Sequence, residues 1–175
     1  MSQKFGFELE FAAPSRVRYD LANELPTGFN LGTDASANTH LLKGFELRSD
    51  VFRQGLPRNK FRQCLSVIRK YNGMIHTKCG FHIHFSGFGR IDVPSATRYL
   101  EDIGFSWRTR DPWTRGFTED SDPRFTRYIP IRQVNYLDEM DHYEIRVFNS
   151  TLNLRAICHY YKVTRRMIEK FAVRN

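Results

Sequence analysis

The sequence predicts an α+β fold in a single domain spanning residues 1–175, with a largely antiparallel sheet and helices to one side. Three observations lead there. Four stretches alternate apolar and ionisable residues with the period of a strand. Two others carry apolar residues at spacings of three and four. Their order reads β–β–α–β–α–loop–β–α, which argues α+β with a largely antiparallel sheet.

Residues 4–12 (Lys-Phe-Gly-Phe-Glu-Leu-Glu-Phe-Ala) form the first alternating strand, and residues 44–49 the second, after a turn-rich stretch through Thr33, Asp34 and Ser36. From Pro57 to Tyr71, Phe61, Leu65 and Ile68 make one helical stripe, and Gly73 closes the segment. Residues 80–87 alternate again, and Pro94 opens a short helix to about Ile103. Ser106 to Pro130 is polar, interrupted by Pro112 and Pro123, and reads as a long loop region. Residues 142–148 are the fourth strand. The last helix runs to about Ala172, with Ser150 or Thr151 as its expected cap.

The chain carries 27 Lys and Arg against 19 Asp and Glu, a net charge of +8, and 20 of the 27 are Arg. Arginine suits bidentate contact with phosphate or carboxylate, so anionic partners are expected, and nucleic acid is among them. Cys64, Cys79 and Cys158 are an odd, widely spaced set that fits a reduced compartment better than a disulfide framework. Glu8 and Glu10 break the N-terminal apolar run, which argues against a signal-peptide core. With a mean hydropathy of −0.53 and no run approaching a membrane span, a cytoplasmic protein with no membrane association is expected.

Because side chains on a strand alternate between its faces, each strand presents a pair or trio of ionisable groups on one side. These are Glu8 and Glu10, then Glu46 and Arg48, then His82 and His84, then His142, Glu144 and Arg146. A solvated sheet face ordinarily draws on Thr, Ser, Lys and Gln. Carboxylates with imidazoles and Arg are instead the ligands of metal ions and phosphates. On one shared sheet, Glu8, Glu10, Glu46, His82, His84, Glu144 and Arg146 converge, and four such carboxylates repel unless divalent cations neutralise them. Mg²⁺ or Mn²⁺ suits that set. Cys79 with His82 and His84 has the residue types of a zinc site but no fourth ligand, so Cys79 reads as a buried small residue. His40, His76 and His159 read as ordinary surface or helix residues. Trp107 and Trp113 read as packing under the long loop.

Four blocks in this order, Phe-Glu8-Leu-Glu10, Asp34…Gly44-Phe-Glu46-Leu-Arg-Ser, Cys79-Gly-Phe-His82-Ile-His84-Phe-Ser and Tyr-Glu144-Ile-Arg146-Val-Phe-Asn, resemble the amidoligases of the glutamine synthetase and carboxylate–amine ligase superfamily. The resemblance runs from residue 4 to about 154 and implies a curved sheet of the glutamine synthetase type. It implies two metal ions divided between Glu8 and Glu10, with Glu46 a further ligand and Asp34 a helper upstream. It makes His82 and Glu144 metal ligands and places His84 nearer the nucleotide or substrate. Arg146 would act on the phosphate or acyl phosphate, and Arg127 and Arg124, in Arg-Phe-Thr-Arg-Tyr, would clamp phosphate or a substrate carboxylate.

The implied activity is ATP- and Mg²⁺-dependent joining of a small-molecule or peptide carboxylate to an amine through an acyl phosphate. Phosphoryl transfer gives the carboxylate a leaving group, and metals and arginines offset the charge on the moving phosphoryl group. The proton of the incoming ammonium needs a base, for which the loop acids Glu119, Asp120 and Asp122 are candidates. The competing readings are a metal-dependent nuclease or phosphoesterase and a nucleic-acid-binding protein, both motivated by the +8 charge.

Overall fold

Apolar residues at every second position make Lys4–Ala13 (β1) the strand on which the sheet is assembled: Phe5, Phe7, Leu9 and Phe11 are all buried on one side. A computed structural model describes residues 3–53, 55–105, 131–134 and 142–173. In it β1 is flanked by Lys43–Ser49 (β3) and Gly80–Ser86 (β4), both antiparallel. Phe29–Thr33 (β2) extends the sheet beyond β3, and Tyr143–Asn149 (β7) and Ile131–Gln133 (β6) extend it beyond β4. The order is β2-β3-β1-β4-β7-β6, and every pairing is antiparallel. Arg90–Ile91 (β5) and Ala172–Val173 (β8) pair separately.

Four α-helices stand among the described residues: Arg18–Asn23 (α1), Arg58–Lys70 (α2), Val93–Asp102 (α3) and Leu154–Phe171 (α4). Phe61, Leu65 and Ile68 of α2, Ala96 and Leu100 of α3, and Ile157, Val163 and Met167 of α4 join the strand aromatics in one buried cluster. The helices therefore cover the apolar face, and the ionisable groups are left on the other. No helix among the described residues is long and apolar enough to cross a membrane.

The expected elements are present, with differences that have local causes. Residues 29–33, of which the sequence reading assigns only Thr33, to a turn-rich stretch, pair with β3 as an outer strand, because Phe29 and Leu31 reach the core while Gly32 lies opposite Glu46. Neither Ser150 nor Thr151 caps α4. Asn153 does, its Oδ1 accepting from Arg155 N–H, while the Ser150 hydroxyl is buried and donates to the Glu10 carbonyl. Strict alternation along the fourth strand also fails. Phe81 pairs with Phe148 but Ile83 pairs with Ile145, so Arg146 and Val147 together oppose His82 in a β-bulge. The extra residue turns Phe148 into the core, where it stacks on Tyr160 at 4.6 Å and meets Phe105 edge-on at 5.0 Å. The long loop, residues 106–130, lies outside the described residues.

Phe61 ties the helical layer to three strands, meeting Phe7, Phe29 and Phe81 edge-to-face at 5.4, 5.2 and 6.2 Å. Phe61→Ala should lower the unfolding free energy by about 3–5 kcal/mol in urea titration. A loss under about 1 kcal/mol would mean that the layer is held elsewhere.

Candidate metal centre

Strand register assembles the centre. Glu8 lies across from Arg48 on one side and His82 on the other, Glu10 faces Glu46, and His84 faces Glu144. Glu8, Glu10, Glu46, His82, His84, Glu144 and Arg146 thus occupy one face, as their positions along the strands predict. That face is not a solvated one. Glu10, Glu46, His82 and Glu144 keep 6, 7, 3 and 4% of their surface, so charge there is poorly shielded by water.

The contacts radiate from Glu8 and His82. His82 Nδ1 is 3.2 Å from Glu8 Oε2 and 3.4 Å from Glu144 Oε1, and its Nε2 is 3.4 Å from Glu10 Oε1. His84 Nε2 stands 3.4 Å from Glu8 Oε1. Two sets of three groups converge closely enough to hold a cation: Glu8, His84 and Glu144, and Glu8, Glu46 and His82, their ligand atoms all within 4.8 Å of one another. Glu8 belongs to both. Glu10 belongs to neither set; its Oε2 accepts from Gly80 N–H at 2.5 Å. Asp34 stays outside as well, turned onto the Ser36 hydroxyl and backbone, at the rim of an open groove of about 460 Å³ that Arg18, Tyr19 and Lys43 also line.

Arg146 lies against Glu144, and Arg48 against Glu46, each two residues along its own strand. Sequence reasoning counted Arg48 on this face without giving it a role. The structure makes it the counter-ion of Glu46, with its guanidinium 3.5 Å from the point where a side chain on Gly32 would begin. Glycines matter here because they leave room. A Cβ on Gly80 would stand 2.6 Å from His82 Nε2 and 3.3 Å from Glu10 Oε2, so only Gly admits the ring and the carboxylate together.

Burial and mutual repulsion set the protonation pattern. Burial pushes Glu10 up to about 8 against the single hydrogen bond from Gly80, with the charges of Asp34 and Glu46 adding to the shift. Burial and the Glu8 charge push Glu46 up to about 7, opposed by Arg48. Burial alone would raise Glu8, but the His82 and His84 imidazoles beside it outweigh that and hold it below the usual carboxylate range. His82 is held below its ordinary value by burial and secondarily by Arg146, against Glu8 and Glu144. Without a cation, then, protons sit where positive charge is wanted.

The donor set fits a divalent cation: carboxylate oxygens and imidazole nitrogens at one spot, with a buried His84 Nε2 that has no hydrogen-bond partner. Cys79 is buried and lies in neither ligand set, and burial pushes its thiol up to about 11. His76 bonds the Ala37 carbonyl at 2.9 Å, away from the centre. Arg124, Arg127, Trp107, Trp113, Glu119, Asp120 and Asp122 lie outside the described residues. Comparisons with family models, curated proteins and solved structures return no match.

Two outcomes follow from this geometry. The folded protein holds the Glu10 proton more tightly than the unfolded chain, so the stability it confers is complete below about pH 4.5 and lost as pH rises through about 8. In chelator, the melting temperature should fall by roughly 5 °C between about pH 5 and 8. Glu10→Gln should flatten that slope, and added Mn²⁺ should reverse it, because ligation displaces the protons. A melting temperature that rises over the same range without metal would contradict the assignment. Gly80→Ala should weaken Mn²⁺ binding at least tenfold, measured by calorimetry, while the circular dichroism spectrum stays that of the parent.

Proposed function

We propose that the protein is an ATP- and Mg²⁺- or Mn²⁺-dependent carboxylate–amine ligase with a glutamine synthetase-like catalytic domain. The observation that carries this reading is the sharing of Glu8 between two ligand sets, each of two carboxylates and one imidazole, on one face of an antiparallel sheet. Cations held by Glu8, Glu46, His82 and Glu144 would offset the negative charge of a triphosphate and of its transferring phosphoryl group.

The chain's own residues supply the rest. Arg146 pairs with Glu144 and its side chain keeps 27% of its surface, which supports a role for it on a phosphate or acyl-phosphate oxygen. Burial of the carboxylates strengthens every charge interaction at the site. The carboxylate substrate accepts the γ-phosphoryl group and ADP leaves. The amine then attacks the acyl carbon, and phosphate departs as the amide forms. The resemblance assigns Arg124 and Arg127 to phosphate or substrate carboxylate.

The +8 charge supports a second reading, a phosphoesterase acting on nucleic acid with the same metals and without ATP. One pair of assays separates the two. With Mg²⁺, ADP release from ATP should require both an acid and an amine, and should fall at least 100-fold in Glu8→Ala and in His82→Ala, with the fold retained by circular dichroism. If no acid–amine pair raises ADP release and calorimetry detects no Mg-ATP binding, the ligase reading is wrong. Metal-dependent cleavage of labelled oligonucleotides without ATP would establish the second.

A further inference from the structure

His142 precedes β7, and its carbonyl accepts from Val134 N–H at 2.8 Å, which fixes its backbone against the strand-β6 side of the sheet. Its Nε2 lies 3.2 Å from His84 Nδ1, and the two rings meet at 64° with centroids 5.4 Å apart. A hydrogen bond between two such nitrogens uses one proton, and which ring donates it decides what His84 presents on its other side.

If His142 owned the proton, His84 Nε2 would carry a hydrogen. That hydrogen would be buried beside Glu8 Oε1 at 3.4 Å without the alignment of a hydrogen bond. If His84 owns it, Nδ1–H donates to His142 and Nε2 turns a lone pair toward Glu8 and Glu144. A lone pair facing two carboxylates is repulsive by itself and becomes a ligand set once a cation sits among them.

We propose that His84 is a ligand of one cation, together with Glu8 and Glu144, and that His142 is the positioning residue that holds His84 in the Nδ1–H form. This rests on the metal centre described above and departs from the expectation that His84 serves the nucleotide or substrate. His142 touches no reacting atom. In this role it acts through His84.

The test is Mn²⁺ affinity of the full chain by calorimetry, with melting temperature in chelator as a control. His142→Ala should weaken the second Mn²⁺ equivalent about 10–100-fold and leave the chelated melting temperature within a few degrees of the parent. His142→Gln, whose amide oxygen accepts from Nδ1–H, should restore most of the affinity. In a His84→Ala background, His142→Ala should cost almost nothing further, since the two side chains act as one unit. Parent-like affinity in His142→Ala, or an equal loss with and without His84, overturns the positioning role while leaving the metal centre standing. A parent protein that binds no Mn²⁺ overturns both.

Discussion

Four carboxylates and two imidazoles share a face from which water is largely withdrawn, and the face is tolerable only if positive charge is supplied to it. Arg48 and Arg146 supply part, each to the carboxylate two residues away on its own strand. Protons supply another part, retained by Glu10 and Glu46 at pH values where free carboxyls have lost them. Glu8 is the exception. It stays ionised between His82 and His84, so the most acidic carboxylate stands where the two ligand sets overlap. A cation entering there would relieve repulsion already present, and the same repulsion is the reason such a site can bind strongly.

The opposite face solves an easier problem, and the two solutions are interleaved residue by residue. Phe7, Leu9, Phe45, Phe81 and Ile83 pack beneath α2 and α4 because the residues between them point away. A single strand register serves both ends, since slipping β1 against β4 by one residue would bury Glu8 among the aromatics and expose Phe7. The aromatic core is therefore what holds the ionisable groups in line, and helix packing reaches the metal centre through the sheet.

Much of this was readable from the chain. The four strands, three of the helices and the shared face follow from alternation and helical spacing around Glu8, Glu46, His82 and Glu144. The segment Gly-Phe-ionisable-aliphatic-ionisable occurs three times, at Gly6, Gly44 and Gly80, and its glycines are the signal that could have marked the crowded floor of the site. Other features depend on distant neighbours. Phe29–Thr33 is a strand because β3 offers a free edge, and Asn153 caps α4 because Ser150 is taken by the Glu10 carbonyl. Nothing in a linear pattern separates Glu10, bonded to Gly80 N–H, from Glu8, which belongs to both ligand sets. Nor does it pair His84 with His142, which lie 58 residues apart.

The extra residue at Arg146–Val147 has a consequence for how this chain can vary. It works like a frameshift in side-chain direction: residues before it and residues after it obey opposite parities. Regular pairing at the present length would set Val147 opposite Phe81 and Phe148 opposite Gly80, planting a benzyl group in the space that the His82 ring and the Glu10 carboxylate now use. Deleting one bulged residue would leave Phe148 opposite Phe81, whereas losing the bulge without a deletion would exchange inside for outside. Between Glu144 and Phe148 the strand can therefore lose one residue and still turn Phe148 into the core.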